Sequence, residues 1–213
     1  MKLLLTSAGI TNQSIAKALE ELCSKSAEDV KVGFITTAAN VEEGNKDWYI
    51  NQFTNLHKYG FGWVDVVDPS AADVKWQKRL KDVDVVFVSG GNTFHLLNQY
   101  RKTGFEGWLR ENLESKVYVG VSAGTIITTQ SLDVCTIEPR DPNLPGLDDI
   151  SGMNLVDFEV EPHCDEARFA TVAAYATEHG KPVYAIDDQT AIQIIDGKVD
   201  VISEGKWQLC KPS

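Results

Sequence analysis

Several features that would point to particular functions are missing from this sequence. No apolar run reaches the roughly 18 residues that a membrane-spanning helix needs, and the opening stretch "MKLLLTSAG" is too short in apolar residues for a signal peptide. The chain carries 20 Lys and Arg against 31 Asp and Glu, a formal charge of −11, with no basic stripe. Because nucleic acids and anionic membranes would repel this charge, we expect neither as a partner. The sequence predicts a cytoplasmic protein.

Cysteines are few, at positions 23, 135, 164 and 210, and none is spaced as CxxC. This scatter fits reduced thiols better than a disulfide framework or a zinc knuckle. The run His163, Cys164, Asp165 and Glu166 is a weak candidate for metal binding, because adjacent residues do not easily converge on one ion. We therefore predict no metal and no cofactor.

The hydrophobic content and the length are sufficient for one core, because 43% of the 213 residues are hydrophobic. We predict a single domain over residues 1–213. Short β-rich runs alternate with segments of helical period, which is typical of a parallel sheet covered on both faces. The predicted strands are 2–8, 30–38, 62–68, 84–90 and the apolar run that starts at 116 and turns through residues 120–124. The predicted helical regions are 12–26, 41–60 and about 92–115, and residues around 70–81 are expected to be helical or irregular.

The last third of the chain has a different pattern. Residues 140–152 form a loop rich in Pro, Gly and Asp. A strand is predicted at 154–162, a helix at 165–180, and a closing ribbon whose Asp196-Gly197 pair is a hairpin signal. The sequence thus predicts a three-layer α/β/α fold.

Ligands of open parallel sheets lie at the carboxyl ends of the strands, so the residues that follow each strand are the first candidates for function. In "VFVSGGNTFHLL", Gly90 and Gly91 follow one predicted strand and precede a helix. Paired glycines there let the backbone approach a phosphate or an oxyanion. The alternative is a plain tight turn in which Asn92 or Thr93 caps the helix.

The segment "GVSAG" at residues 120–124 matches the G-x-S-x-G nucleophile elbow at every fixed position. A serine at a sharp strand-to-helix turn is exposed for attack, and the N–H of Ala123 points toward the oxygen of an attacked carbonyl. The alternative is that Ser122 is an ordinary helix cap.

A nucleophilic serine needs a base, and the chain has four histidines. His57 and His179 lie near predicted helix ends and are interpreted as structural. His95 lies in the first turns of the helix after Gly91. His163 is the best candidate, because "DFEVEPHCDE" places it just past a strand, at the edge expected for Ser122.

Together, "SGGNTFHLL", "GVSAGT" and "DFEVEPHCD" resemble the S51 serine peptidase family, which includes aspartyl dipeptidase and cyanophycinase. The resemblance spans most of the chain and implies a class I glutamine amidotransferase-like (flavodoxin-like) fold. It also implies a serine peptidase or dipeptidase for small peptides with N-terminal aspartate. By the same resemblance Ser122 is the nucleophile, His163 the general base, and the N–H groups of Gly91 and Ala123 the oxyanion hole.

A Ser-His pair of this kind is completed by an acid that orients the histidine, and several acids of this chain are candidates. In aspartyl dipeptidase the acid is expected 22 residues before the histidine, which here is Asp141 in "EPRDPNLPG". We predict Asp141 in this role. The competing acids are Asp133, Glu138, Asp165, Glu166, Asp187 and Asp188, of which the last two also follow a predicted strand.

The predicted substrate-binding residues are Asn92, Arg140 and Arg168, since arginines are suited to an aspartyl side chain or a free carboxylate. Both arginines are also compatible with a solvated surface role. The expected partner is a small peptide, and a homo-oligomer is compatible with the sequence.

Two other functions share parts of these patterns. An α/β-hydrolase esterase has G-x-S-x-G and the order Ser, Asp, His, but the chain is short and has no HGGG-type loop. A ligand-binding protein on the same fold would use Gly90, Gly91 and Ala123 to bind an anion, with no chemistry at Ser122.

Overall fold

A computed structural model describes residues 1–212 of the chain, and strands and helices alternate through most of them. The strands are β1 (Lys2–Thr6), β2 (Lys31–Ile35), β3 (Trp63–Val67), β4 (Val85–Val88), β5 (Val117–Val121), β6 (Glu159–Glu161), β7 (Val183–Ile186), β8 (Thr190–Ile195), β9 (Lys198–Ser203) and β10 (Trp207–Cys210). The helices are α1 (Gln13–Cys23), α2 (Asp47–Lys58), α3 (Trp76–Leu80), α4 (Thr93–Thr103), α5 (Phe105–Asn112), α6 (Ala123–Ile126) and α7 (Glu166–His179). In this part of the chain no helix is long and apolar enough to cross a membrane.

The main sheet has seven strands in the order β3-β2-β4-β5-β1-β8-β9. The first five run parallel, and β8 and β9 add antiparallel to β1 and to each other. The predicted hairpin joins β8 to β9 through Asp196 and Gly197, both of which have positive φ. The predicted class, a mostly parallel sheet covered by helices, is confirmed.

Both faces of this sheet are buried, because successive residues of each strand point to opposite sides. In β1, Leu3 and Leu5 belong to the core that includes Leu97 of α4. Leu4 lies between them in the chain and packs in the other core, with Leu19 of α1. This alternation makes the three-layer arrangement.

A second, three-stranded sheet has the order β10-β7-β6, and the sequence did not predict it. The predicted strand 154–162 shortens to β6, which pairs parallel with β7, while β10 was not predicted. Periodicity describes one strand at a time and does not reveal its neighbour, so the two sheets could not be separated from sequence.

Several predicted helices are shorter in the structure, and two of them differ most in where they begin or break. The region 92–115 divides into α4 and α5 at Gly104, whose φ of 73° stops the first helix. The predicted helix 41–60 begins only at Asp47, after a 3-10 turn over Thr37–Val41. The carboxyl ends of β1, β4 and β5 remain at one edge of the sheet, where the loops that follow them meet.

Candidate active site

Ser122 lies at a strained turn between β5 and α6. Its φ of 49° and ψ of −108° are unusual for a residue with a side chain, and its N–H donates to Thr6 O over 3.1 Å. Strain of this kind persists where the surrounding structure enforces it. The turn therefore has the conformation that the nucleophile-elbow pattern predicted.

The two glycines of the elbow are needed for close packing. A Cβ on Gly120 would lie 2.5 Å from the carbonyl oxygen of Gly124, and a Cβ on Gly124 would lie 2.5 Å from that of Val88. Either side chain would push the turn away from the sheet. The G-x-S-x-G spacing is thus a steric requirement of this turn.

Two backbone N–H groups beside Ser122 are unpaired. Neither Gly91 nor Ala123 donates its N–H to an acceptor within residues 1–212. The turn that carries Gly91 is held by the next residue, Asn92, whose N–H donates to Ala38 O over 3.0 Å. Gly90 brings this turn against the nucleophile, since a Cβ placed on it would be 3.2 Å from Ser122 Cβ. Two free donors near one hydroxyl fit an oxyanion hole.

His163 follows β6 and Pro162, with a positive φ of 58°. Its backbone N–H donates to Ser7 Oγ over 2.8 Å, and its Nδ1 lies 2.7 Å from Asp188 Oδ1. A carboxylate only accepts hydrogen bonds, so Nδ1 carries the proton in this contact. Nε2 has no hydrogen-bond partner in the described part of the chain, and is free to act as a base.

Asp188 follows β7 and takes the position beside the histidine. Besides His163 it accepts a hydrogen bond from Ser7 Oγ over 2.6 Å. The hydrogen bond with His163, followed by that from Ser7, holds the pKa of the Asp188 carboxyl below its usual range. An ionised Asp188 is suited to orienting the imidazole.

Sequence reasoning missed Ser7. This fully buried residue follows β1, and its hydroxyl bridges Asp188 Oδ1, the His163 N–H and, at 3.2 Å, His163 Nδ1. The only signal was its position after a strand that ends at the same edge of the sheet. No motif covers it.

The prediction that Asp141 contacts His163 is corrected by the structure. Asp141 accepts hydrogen bonds from the Thr93 N–H and from Asn92 Nδ2, both over 2.7 Å, at the start of α4. Burial raises the pKa of its carboxyl. The number of residues between an acid and a histidine says nothing about how the intervening loop folds, and this loop folds toward α4.

The neighbouring acid Asp187 is also engaged elsewhere. Its carboxylate accepts from the Gln189 N–H over 3.0 Å and from Thr190 Oγ1 over 2.7 Å, which fixes the turn between β7 and β8. The pair Asp187 and Asp188 therefore divides into one structural and one site residue.

The predicted substrate-binding residues are largely occupied. Asn92 is fully buried and caps α4 by accepting from the His95 N–H over 2.8 Å. Arg168 pairs with Glu161 and also donates to the Glu138 carbonyl. Arg140 pairs with the Glu138 carboxylate over 2.7 Å at the surface. None of the three presents a free donor group to Ser122.

The candidate metal cluster does not converge. The Cys164 thiol donates to Glu161 O, the Asp165 side chain caps α7, and Glu166 pairs with Lys206. Among residues 1–212 there is no group of three or more His, Cys, Asp or Glu side chains arranged to hold an ion.

Two clefts meet at Ser122. The α2 cleft, about 590 Å³, lies between Ser122 and helix α2 and includes Gln52 in its wall. The loop cleft, about 490 Å³, lies against the loop that contains Asp141. Four residues line both clefts, and these are Glu42, Gly91, Ser122 and His163. A bound chain can therefore extend to either side of the hydroxyl.

Comparison with known proteins shows which sequences this chain resembles. The sequence model of Peptidase family S51 matches residues 3–202. An uncharacterized peptidase of Pasteurella multocida is 30% identical over 78% of this chain and 82% of its own. Peptidase E of Shewanella denitrificans is 27% identical over 79% of this chain and 82% of its own.

Solved structures show the same fold. The crystal structure of a candidate peptidase E from Listeria monocytogenes superposes with a TM-score of 0.80 at 26% identity, covering 96% of this chain and 98% of that one. A peptidase from an acI-B1 Actinobacterium, at 15% identity and a TM-score of 0.69, covers 99% of this chain and 90% of that one.

Proposed function

The chain belongs to peptidase family S51, and from this membership and the geometry at Ser122 we propose that it is a serine peptidase that hydrolyses short peptides. Membership supports the peptidase class. One observation carries the serine mechanism: Asp188 is hydrogen-bonded to His163, and both lie beside the strained Ser122. The chemistry runs through an acyl-enzyme on Ser122.

In the proposed mechanism, His163 Nε2 takes the proton of the Ser122 hydroxyl as its oxygen attacks the scissile carbonyl carbon. Asp188 holds Nδ1, which keeps Nε2 unprotonated before attack and stabilises the imidazolium that forms. The carbonyl oxygen becomes negative and accepts from the free N–H groups of Gly91 and Ala123. The unpaired state of both donors supports this role.

The tetrahedral intermediate then collapses. The C–N bond breaks, and the amine leaves with the proton that His163 returns to it. Water, deprotonated by the same Nε2, attacks the ester carbonyl carbon; the bond from that carbon to Ser122 Oγ breaks, His163 returns the proton to Oγ, and the acid is released. Both stages use one base and one oxyanion hole, so no further group is needed.

Short peptides fit the clefts better than folded proteins do. The α2 cleft, of about 590 Å³, has the size of a small-molecule pocket, and the two clefts lie between α2 and the Asp141 loop. We extend the proposal to dipeptides and other short peptides on this basis.

N-terminal aspartate is the finer expectation from the resemblance. Binding an aspartyl side chain calls for Arg, Lys or backbone N–H donors, and the two predicted arginines, Arg168 and Arg140, already pair with Glu161 and Glu138. We therefore leave aspartate out of the proposal. The esterase and ligand-binding alternatives have no observation of their own that favours them over a peptidase.

The test is labelling with a fluorophosphonate, followed by mass spectrometry of the digested protein. We expect one adduct on Ser122 in the wild type, and a rate at least about 10³-fold lower in His163→Ala. Circular dichroism would show that both proteins are folded. An unreactive Ser122 in a folded protein, or equal labelling of the variant, would contradict the proposal.

A further inference from the structure

The two edge strands of the main sheet, β3 and β9, differ in how their outer backbone groups are used. Beside β3, the Arg79 guanidinium donates to the Val66 carbonyl oxygen over 2.8 Å and to Asp65 Oδ2 over 2.9 Å, so a side chain occupies that edge. Strand β9 pairs with β8 on one side, and within residues 1–212 no other strand pairs with its outer side. A strand edge with unused N–H and C=O groups is a template for another strand.

The hairpin between β8 and β9 determines which backbone groups of β9 point outward. Its turn has two residues, so the flanking Ile195 and Lys198 form a hydrogen-bonded pair. At the other end of the strand, the Glu204 N–H donates to Gln189 O over 3.2 Å, which is the same alternation. The residues between these hydrogen-bonded positions direct their N–H and C=O groups away from β8, and all are partly exposed. They are Val199, Val201 and Ser203.

A second copy of the chain fits this edge in one register. Two identical strands related by a two-fold axis run antiparallel, and the contact is then the same on both copies. With Val201 on the axis, Val201 lies opposite the second copy's Val201, and Val199 lies opposite the second copy's Ser203. These are the outward residues of both strands, so every outward N–H and C=O group finds a partner. Two β-branched valines in direct opposition also pack well.

Charges on β9 are complementary in the same register. Lys198 lies opposite Glu204 of the second copy, and the two-fold axis repeats this pair. Glu204 accepts hydrogen bonds from Ser14 Oγ over 2.7 Å and from the Ser14 N–H over 3.0 Å, and these lower the pKa of its carboxyl. Within residues 1–212 this ionised carboxylate has no ion pair, and Lys198 pairs with Asp200 on its own strand over 2.7 Å. Opposite charges in direct opposition stabilise an antiparallel pair.

Apolar side chains flank the β9 edge. Val199 lines a cleft of about 300 Å³ together with Phe158. Two of the exposed large hydrophobic residues lie just beyond the two ends of the strand, Ile195 (38% exposed) before it and Trp207 (46% exposed) after it. Antiparallel pairing brings the Trp207 end of one copy toward the Ile195 end of the other, so apolar surface at both ends is removed from water.

We propose that the outer edge of β9 is a self-association surface, on which β9 of a second copy of this chain pairs antiparallel with Val201 at the two-fold axis. The two main sheets then form one continuous sheet. None of the β9 residues lines the α2 cleft or the loop cleft, so both clefts stay open to substrate in the dimer. The surface is independent of the chemistry proposed for Ser122.

The first test measures the dissociation constant of the dimer by sedimentation equilibrium of the purified full chain. We expect Lys198→Glu and Glu204→Lys each to raise this constant at least about tenfold, because each places like charges opposite one another. The double variant Lys198→Glu/Glu204→Lys exchanges the charges and should return to within a few fold of the wild type. The matched controls are Lys17→Glu and Glu21→Lys, an exposed ion pair on α1, which should leave the constant unchanged.

The second test determines the register by disulfide crosslinking. Residues of a hydrogen-bonded antiparallel pair have Cα atoms about 5.5 Å apart, which a disulfide can span. Oxidised Val201→Cys should therefore run as a covalent dimer, because the new thiol faces its own copy across the axis. Val199→Cys should not, since Ser203 of the second copy lies opposite it. Val66→Cys, an exposed valine on β3, and the oxidised wild type control for random crosslinking.

Three results would overturn the proposal. The first is a wild-type protein that stays monomeric at concentrations up to about 100 µM, which would mean that any pairing is weaker than a specific interface requires. The second is a dimer that the single charge reversals leave unchanged, or that the double variant fails to restore although circular dichroism shows it folded. The third is crosslinking of Val199→Cys or Val66→Cys as efficient as that of Val201→Cys.

Discussion

Asp188 and Asp141 are two aspartates near the same edge of the central sheet, and their surroundings shift the pKa values of their carboxyls in opposite directions. Asp188 binds a histidine and a serine, and these hydrogen bonds lower the pKa of its carboxyl. Asp141 caps α4 through Thr93 and Asn92, and burial raises the pKa of its carboxyl. One acid is stabilised as an anion beside a base, whereas the other closes a helix end. The same substitution at both positions therefore tests which acid serves catalysis.

Asp188→Ala should give the largest effect. Without the carboxylate the imidazole of His163 loses its orientation and the stabilisation of its charged form, and kcat should fall about 10⁴-fold. The measurement is kcat on any dipeptide that the wild type cleaves. A loss of less than tenfold would remove Asp188 from the mechanism.

Ser7→Ala should give an intermediate effect. Ser7 positions His163 and Asp188 through its hydroxyl, so we expect kcat to fall about 10-fold to 100-fold with little change in KM. The variant should also raise the pKa of Asp188, because it removes one hydrogen bond that lowers it. Carbon NMR titration of the labelled carboxyl would detect this. A lowered kcat with an unmoved titration would indicate a merely structural role.

Asp141→Ala should spare activity and reduce stability. It removes a helix cap and two hydrogen bonds, and the free energy of unfolding should fall by about 1–2 kcal/mol, while kcat changes by less than tenfold. Urea unfolding and kcat can be measured on one preparation. If kcat fell as far as in Asp188→Ala, the assignment of Asp141 to helix capping rather than to catalysis would be wrong.

The smallest effect is in the pH dependence of stability, and the two acids should differ in its sign. The native pKa of Asp188 is depressed, so its contribution is present above the unfolded value of about 3.9 and is lost as pH falls through the native value. The native pKa of Asp141 is raised, so its contribution is present below the unfolded value and is lost as pH rises through the native value. The stability difference from each alanine variant, measured by unfolding from pH 3 to pH 7, should change in opposite directions.

Local sequence patterns were enough to single out Ser122, Gly91 and His163 as candidate site residues. Each follows a strand and lies in a turn whose residue types depend on neighbours a few positions away. Gly120 is an example, since the atoms nearest to a Cβ placed there belong to Gly124 and Thr125, four and five positions later in the chain. Such constraints are visible in one stretch of chain.

Local sequence patterns did not single out Asp188 or Ser7, the serine that donates a hydrogen bond to it. Asp188 was one of several acids that remained open, and Ser7 was not considered, because their contact joins β1 to the end of β7 across the two sheets. Asp141 matched by spacing alone, and its loop folds toward α4. The number of residues between two positions fixes the distance between them in space only where the intervening segment is a regular helix or strand.

The sequence by itself determined the α/β alternation, the nucleophile elbow and the histidine beyond β6, because these follow from periodicity and from turns that only a few residue types allow. Only the tertiary structure decided which carboxylate meets His163 and that Ser7 bridges them. Those contacts join residues far apart in the chain, and their energies depend on burial and on neighbouring charges, which exist only after the layers have packed.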